Sequence, residues 1–268
     1  MIEGNSAASD GAPASFWRRF WPPALLGLVG VASLPLVILP ALETLMGLGR
    51  APTHSLALFA LLALIQPALL VIAAAGVGAA LAPKLGFTSY LSRINLRASF
   101  ASQLRPAIAT GIVVGVVIVA LDIAVFRHFR LQPMGATPWQ AIGQTLVGGV
   151  LYGGLAEEVM MRFGLMSFVV WIGARLYARR HTADTALPDG AFVAAIVIVA
   201  LLFALGHLPA ATVISPLTVN LVLRILLLNA VAGLAFGWLY WKASLEAAML
   251  SHATVHVVFA IAQLRGWS

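Results

Sequence analysis

The chain has 268 residues, of which 61% are hydrophobic and 9% charged, and its mean hydropathy is +0.98. A soluble domain of this size must present a polar surface to water, so this composition excludes a soluble domain. It indicates a protein that crosses the membrane several times. The net charge of +7 does not indicate nucleic-acid binding, because the basic residues lie at the ends of apolar segments. The absence of cysteine from the sequence excludes disulfides, thiolate metal sites and a cysteine nucleophile.

The first 16 residues are mostly small and polar, and we predict a disordered tail there. The rest of the chain contains apolar runs close to the roughly 20 residues that a helix needs to cross a bilayer, joined by short connections. The sequence therefore predicts an all-α, polytopic transmembrane bundle of about eight helices. The predicted spans lie near residues 24–45, 55–81, 106–126, 139–160, 163–178, 191–207, 217–240 and 244–263.

Basic residues between the predicted spans mark the cytoplasmic side by the positive-inside rule. Arg18 and Arg19 precede the first span and residues 82–105 hold a second basic group, so we predict a plasma-membrane protein with a cytoplasmic N-terminus. Arg179 and Arg180 conflict with this topology, because two crossings by the fourth and fifth segments would return them to the outer side. We therefore expect that one of these two segments does not cross fully.

The two halves of the chain differ in their ionisable residues. Residues 17–130 carry few of them inside the apolar runs, and we predict a transmembrane scaffold there. Asp122 lies near the end of a predicted span, where we expect its carboxylate to be solvated in the headgroup region. In residues 131–268, three separate spans carry Glu, Arg or His within apolar sequence. We predict that the functional region lies here, with its site in a cavity among the C-terminal helices.

The most informative feature is an adjacent pair of carboxylates, Glu157 and Glu158, followed by Arg162. An ionised side chain near the bilayer centre costs about 2.5 to 3.5 kcal/mol, so two adjacent ones require a compensating role. Glu158 and Arg162 are four residues apart and can pair on one helix face, whereas Glu157 points about 100° away and is left free. The alternative is a structural ion pair in which Glu157 is a second acceptor.

Two further spans carry histidines. His207 lies at the end of an apolar run just before Pro209, where the alternative to a catalytic histidine is a structural one. His252 and His256 are four residues apart and share a helix face, so both imidazoles can address one ion or one substrate oxygen. The alternative for this pair is hydrogen bonding across the bundle.

Together these side chains are the parts of a hydrolase that activates water without a serine or cysteine nucleophile. Glu157 provides a general base, one histidine holds the water, and other histidines donate to the oxyanion that develops on the substrate. Intramembrane Glu and His residues also form proton relays. A proton-coupled transporter is therefore one alternative, and a noncatalytic scaffold or immunity protein is another.

These residues also resemble the motifs of a known family, the CPBP family. Its EExxxR, FxxxH and HxxxN motifs resemble, in order, Glu157, Glu158 and Arg162, then Phe203 and His207, then His252 and His256. The family includes the type II CAAX prenyl endopeptidases and bacteriocin-processing or immunity proteins, which are intramembrane peptidases or suspected ones. The resemblance covers residues 139–263 with the motifs in the family's order.

The resemblance implies an intramembrane endopeptidase that cleaves a membrane-associated or lipidated, CAAX-like peptide. It implies that Glu157 activates the water with His207. It further implies that His252 and the residue four positions later stabilise the oxyanion, and that Glu158 and Arg162 form a supporting pair. The expected partners are the lipid bilayer and the peptide substrate, without nucleic acid, and the oligomeric state is left open.

This chain departs from the family at His256, where asparagine is usual. A ring N–H donates a hydrogen bond as an amide does, so we expect the implied oxyanion stabilisation to survive if the ring is suitably placed. The histidine also adds a potential metal ligand. Glu157, His207, His252 and His256 together could bind a divalent metal such as zinc with an open position for water. A mechanism without metal, in which Glu157 alone is the base, is the alternative, and both are left open.

Overall fold

The computed structural model describes residues 14–47, 56–96, 99–126, 138–179 and 187–266. Its α-helices are α1 Phe16–Ala32, α2 Leu34–Gly47, α3 Leu56–Leu81, α4 Ala101–Phe126, α5 Pro138–Leu146, α6 Ser167–Ala178, α7 Asp189–Gly206, α8 Leu208–Ile214, α9 Val219–Lys242 and α10 Leu245–Leu264. A short 3-10 helix, Ala82–Leu85, follows α3. Two consecutive π-helical segments, Val147–Glu157 and Val159–Met166, join α5 to α6.

The part of the chain described here contains seven helical stretches that are long and apolar enough to cross a membrane. The protein is therefore an integral, multi-pass membrane protein, and the predicted all-helical bundle is confirmed. The seven stretches are Phe16–Pro40, Leu61–Leu85, Ala101–Phe126, Trp139–Ala178, Asp189–Thr212, Val219–Lys242 and Leu245–Leu264. The predicted tail at residues 1–16 lies almost wholly outside the described residues, and Ser15 caps the first helix.

The fourth and fifth predicted spans form one continuous stretch of 40 residues, Trp139–Ala178. The two sequence segments are separated by only two residues, and the helix passes through them in π-helical conformation. A single crossing here places Arg175 and Arg179 at the same end of the bundle as the loop after α3. It thereby removes the conflict that two separate crossings would create with the positive-inside rule.

Polar contacts tie together the loops at one end of the bundle, which we call the basic end. The Leu245 N–H donates to the Thr88 carbonyl at 3.1 Å, and Lys242 lies 3.5 Å from Asp189. Ser92 donates to the Arg19 carbonyl at 2.8 Å, which brings the start of α1 to the same end. The described basic residues grouped there are Arg18, Arg19, Lys84, Arg93, Arg105, Arg175, Arg179 and Lys242.

Small residues let the helices that carry the site pack closely. A Cβ on Gly233 of α9 would lie 2.9 Å from Cα of Ala200 on α7, so these two helices approach backbone to backbone. On α4, a Cβ on Gly111 would lie 2.5 Å from the Ser251 carbonyl oxygen of α10. Such close approach of small residues is how transmembrane helices gain contact where lipid supplies no hydrophobic driving force. The result is close packing of α7 on α9 and of α4 on α10.

Candidate active site

Glu158 and Arg162 form an ion pair in the middle of the bundle, as their spacing predicts. Both side chains have 0% exposure, and Nη1 of Arg162 lies 3.3 Å from Oε1 of Glu158. Arg162 Nη2 also donates to the carbonyl of Gly233 on α9 at 3.1 Å. A buried charge needs both a counter-ion and hydrogen bonds. The two side chains are each other's counter-ion, but Nε and Nη1 of Arg162 and Oε2 of Glu158 have no hydrogen-bond partner among the described residues. Through Nη2, the pair joins the π-helical stretch to α9.

Aromatic rings enclose the Arg162 guanidinium. Its central carbon lies 5.0 Å from the ring centroid of Phe203 and 5.4 Å from that of Phe236. Cation–π contacts of this kind strengthen when they are removed from water. Phe236 also stacks on His252, with ring centroids 4.5 Å apart and planes at 20°. The sequence predicted no role for Phe236, because nothing distinguishes one phenylalanine in an apolar helix.

Glu158 has a second partner besides Arg162, the imidazole of His252. Its Nδ1 lies 2.8 Å from Oε1 of Glu158, and its side chain is 5% exposed. Since a carboxylate only accepts, Nδ1 carries the proton and donates it. Glu158 is thus shared between Arg162 and His252, which fixes the orientation of the imidazole and directs Nε2 toward the neighbouring carboxylate.

Glu157 is the second carboxylate, and it faces a cavity. Its Oε1 lies 4.0 Å from Nε2 of His207 and its Oε2 lies 3.9 Å from Nε2 of His252. These separations are longer than direct hydrogen bonds. One water can make hydrogen bonds of about 2.8 Å to two protein atoms. When the two bonds meet at a right angle, those two atoms lie about 4.0 Å apart. The gaps on either side of Glu157 therefore have the size of one bound water each.

His207 lies at the junction of α7 and α8. Its Nδ1 is 2.8 Å from the carbonyl oxygen of Phe203, which can only accept, so Nδ1 carries the proton. In the neutral ring, Nε2 is then an acceptor and is directed toward Glu157. Because α7 ends at Gly206 and Pro209 follows in α8, the chain turns here and leaves the imidazole 35% exposed.

His256 lies one turn beyond His252 on α10. The two rings stack with centroids 5.2 Å apart and planes at 21°. Its Nδ1 is buried and has no hydrogen-bond partner within the described part of the chain. Gly149 lies against this ring so closely that a Cβ there would overlap its Cγ, and a Cβ on Gly153 would lie 2.9 Å from Nε2 of His252. Glycine is therefore needed at both positions for the histidines to occupy their places.

A cavity of about 600 Å³ joins these side chains to the end of the bundle opposite the basic end. Its lining includes Glu157, His207, His252 and His256, so the structure brings these predicted site residues together. Glu158 and Arg162 do not line it and lie directly behind. The remaining wall includes residues of α2, α4, α5 and α9 and is largely apolar.

The same cavity is lined by an ion pair that the sequence did not predict. Arg224 donates through Nε to Oδ1 of Asp122 at 2.6 Å and through Nη2 to Oδ2 at 3.1 Å. The expectation that Asp122 is solvated at a span end is wrong, because the residue is 8% exposed and paired with α9. Arg224 lies inside the predicted span 217–240, and a charge inside an apolar run was the signal that could have identified it.

The donors around Glu157 are not arranged as a metal site. Among the residues that the structure describes, no group of three or more His, Asp or Glu side chains could hold a metal ion. Ligand atoms of a tetrahedral zinc lie about 3.3 to 3.4 Å from one another, whereas the two gaps beside Glu157 are 4.0 Å and 3.9 Å. The set Glu157, His207, His252 and His256 therefore does not fit zinc in this arrangement.

Comparison with known proteins gives one family match, to the second half of the chain. Residues 138–258 match the family described as type II CAAX prenyl endopeptidase Rce1-like. No curated protein and no solved structure matches the chain. The matched region begins at α5 and ends within α10, so it contains both carboxylates and all three histidines of the site. The match covers less than half of the chain, and within these residues it supports the CPBP family of CAAX-type intramembrane proteases.

Proposed function

We propose that the protein is an endopeptidase that hydrolyses a peptide bond inside the membrane with water activated by Glu157. The observation that supports this most directly is the position of the Glu157 carboxylate at the cavity wall, with an imidazole Nε2 4.0 Å away on one side and another 3.9 Å away on the other. A base flanked by two polar nitrogens in an apolar cavity can hold and orient a water.

In the proposed reaction, Glu157 and His207 both accept hydrogen bonds from one water, which leaves an oxygen lone pair directed into the cavity. Glu157 takes a proton as the water oxygen bonds to the carbonyl carbon of the substrate. The tetrahedral intermediate then collapses, the C–N bond breaks, and Glu157 returns the proton to the leaving amine. The products are a carboxylic acid and a free amine, and the acid then loses its proton to the amine or to water, so protons and electrons balance.

His252 and His256 are proposed to stabilise the negative charge on the carbonyl oxygen. His252 donates through Nδ1 to Glu158, so Nε2 donates to the oxyanion when the ring carries both protons. Glu158 balances that positive charge, and Phe236 holds the ring plane. Glu158 and Arg162 are therefore positioning residues in this scheme, because they act through His252 and not on the substrate.

The proposed substrate is a membrane-associated peptide with a lipid anchor near its C-terminus. The cavity lies between membrane-spanning helices, and its walls are largely apolar. A CAAX sequence carries its prenyl group on a cysteine three residues before the C-terminus, which gives a substrate of this form. The family match supports this class of substrate in general.

The test is cleavage of quenched, prenylated peptides by purified protein in detergent. We expect wild type to cleave and Glu157→Gln to lose activity by about 10²-fold or more while its thermal stability is retained. Asp189→Asn is the matched control, because it removes an exposed carboxylate at the basic end. Absence of cleavage by folded wild type across a broad peptide set would favour a noncatalytic scaffold or a proton-coupled transporter.

We further propose that activity requires no metal. The base in this scheme is Glu157 itself, and the gaps beside it have the size of a water. Wild type treated with a chelator and then shown by elemental analysis to be metal-free is expected to cleave at an unchanged rate. Loss of cleavage that returns on addition of zinc would contradict this proposal and leave the endopeptidase itself intact.

We also propose that the basic end faces the cytoplasm of a cell whose plasma membrane holds the protein. The positive-inside rule supports this orientation. The chain has no cysteine, so single cysteines can be placed without background. Ser102→Cys at the basic end and Leu217→Cys at the opposite end lie at exposed positions. An impermeant maleimide added to intact cells is expected to label only the second, and the reverse result would invert the topology.

A further inference from the structure

Tyr152 lines the active-site cavity from the same π-helical segment as Glu157, and the proposed reaction does not use it. This segment, Val147–Glu157, contributes five residues to the cavity wall, and three of them are glycines. The five are Gly148, Gly149, Tyr152, Gly153 and Glu157. Within this described segment, the cavity therefore meets just two side chains with hydrogen-bonding groups, a carboxylate and a phenol.

The π-helical conformation brings Tyr152 and Glu157 to one face of the segment. In a π-helix the N–H of residue i+5 bonds to the carbonyl of residue i, so residues five apart lie nearly one above the other. In an α-helix the same two residues would be about 140° apart around the axis. Both side chains line the cavity, and the phenol lies close enough to the Glu157 carboxylate to interact with it electrostatically. The phenol is therefore one helical turn from the proposed base.

The Tyr152 hydroxyl differs from other partly or fully buried phenols of this protein. Tyr90 accepts a hydrogen bond from Gln103 at 2.9 Å, and the Tyr240 hydroxyl lies 3.0 Å from that of Ser167. The Tyr152 hydroxyl has no such bond to another residue that the structure describes. Because a buried phenol usually has a hydrogen-bond partner, this hydroxyl is suited to a molecule bound in the cavity.

The cavity beside Tyr152 is bounded by two imidazole nitrogens. A Cβ on Gly153, the next residue, would lie 2.9 Å from Nε2 of His252 and 3.3 Å from Nε2 of His256. Since Tyr152 and Gly153 are adjacent and both line the cavity, the phenol and the two nitrogens border the same part of it. The proposed reaction places the carbonyl oxygen of the substrate at these nitrogens, and so beside the phenol.

We propose that the Tyr152 hydroxyl donates a hydrogen bond to the carbonyl oxygen of the cleaved peptide bond as that oxygen becomes an oxyanion. His252 uses its Nδ1 proton on Glu158, so its Nε2 donates only when the ring carries both protons. A phenol donates in its neutral form and keeps its proton, so the proton balance of the reaction is unchanged. This inference rests on the proposed endopeptidase function and makes Tyr152 a further catalytic residue.

The test is Tyr152→Phe, which removes the hydroxyl and keeps the ring. With the quenched prenylated peptides we expect kcat to fall by about 10²-fold, with little change in KM or melting temperature. Tyr240→Phe is the matched control, because it removes a phenol hydroxyl that bonds to Ser167 outside the cavity. It should lower the melting temperature and keep kcat. If wild type cleaves and Tyr152→Phe has the same kcat, the inference is overturned and the endopeptidase stands.

A phosphinate analogue of the same peptide, with a tetrahedral anion in place of the scissile peptide group, measures the contact without cleavage. Wild type should bind this analogue about tenfold more tightly, or more, than Tyr152→Phe does. The intact peptide, measured on Glu157→Gln with and without Tyr152→Phe, should bind equally. An equal loss for peptide and phosphinate would contradict a role at the oxyanion. Equal binding of the phosphinate by wild type and Tyr152→Phe overturns the inference even if no peptide is cleaved.

Discussion

His252 donates from Nδ1 to Oε1 of Glu158 over 2.8 Å, and this bond connects the histidine helix α10 to the π-helical stretch that carries both carboxylates. Glu158 is fully buried, so its charge acts on its neighbours without screening by water. The neighbours are His252 on one side and Arg162 on the other. The adjacent residue, Glu157, is directed into the cavity. Two consecutive glutamates thus have different environments and, in the proposed mechanism, different roles.

Replacing Glu158 with Gln is expected to lower kcat by about tenfold or more. The amide retains an oxygen acceptor for Nδ1 of His252, but it no longer balances a positive charge on the ring. KM should change little, because Glu158 does not line the cavity. The measurement is steady-state kinetics on protein shown to be folded, with Glu246→Gln as the matched control at the basic end. An unchanged kcat would remove Glu158 from the mechanism.

Replacing Arg162 with Met tests the stability of the buried ion pair. The substitution leaves the Glu158 carboxylate without its cationic partner, and we expect the free energy of unfolding to fall by about 3 to 5 kcal/mol. Combining it with Glu158→Gln removes both charges, so the double variant should lose less than the sum of the two single losses. Unfolding in detergent by denaturant measures all three. Additive losses would mean that the two side chains do not interact.

The spacing of charged residues predicted part of this site, because helical period is a local property. Glu158 and Arg162 are four apart and pair as expected, and Glu157 faces elsewhere. The π-helical conformation was not predicted, since a shift from i+4 to i+5 hydrogen bonding leaves little trace in the pattern of apolar residues. The contacts of Phe236 and Arg224 depend on which helices become neighbours, and one sequence does not determine this.

The roles of the histidines remain predictions, and His256 offers the sharpest comparison. We expect His256→Asn to retain most of the activity, because an amide donates a hydrogen bond as an imidazole N–H does. His256→Leu has a similar volume but no donor, and kcat should fall by about 10²-fold. Both variants are compared with wild type for kcat and for thermal stability. Full activity in the leucine variant would show that residue 256 does not contact the oxyanion.

Gly153 and Gly143 give a matched pair for the packing of the histidines on α10. Alanine stabilises a helix relative to glycine by about 1 kcal/mol, so in the absence of other effects both substitutions should raise stability. A Cβ at Gly153 would lie 2.9 Å from Nε2 of His252 and 3.3 Å from Nε2 of His256, whereas one at Gly143 would meet nothing within 4 Å.

We therefore expect Gly143→Ala to keep its activity and Gly153→Ala to lose most of it. The added methyl group displaces the imidazole that lies beside Glu157, and a shift of about 1 Å in a catalytic group costs on the order of 10²-fold in rate. Cleavage rates and melting temperatures of both variants are measured side by side. If Gly153→Ala were as active as Gly143→Ala, the ring of His252 would not need its present position, and the proposed oxyanion contact would fail with it.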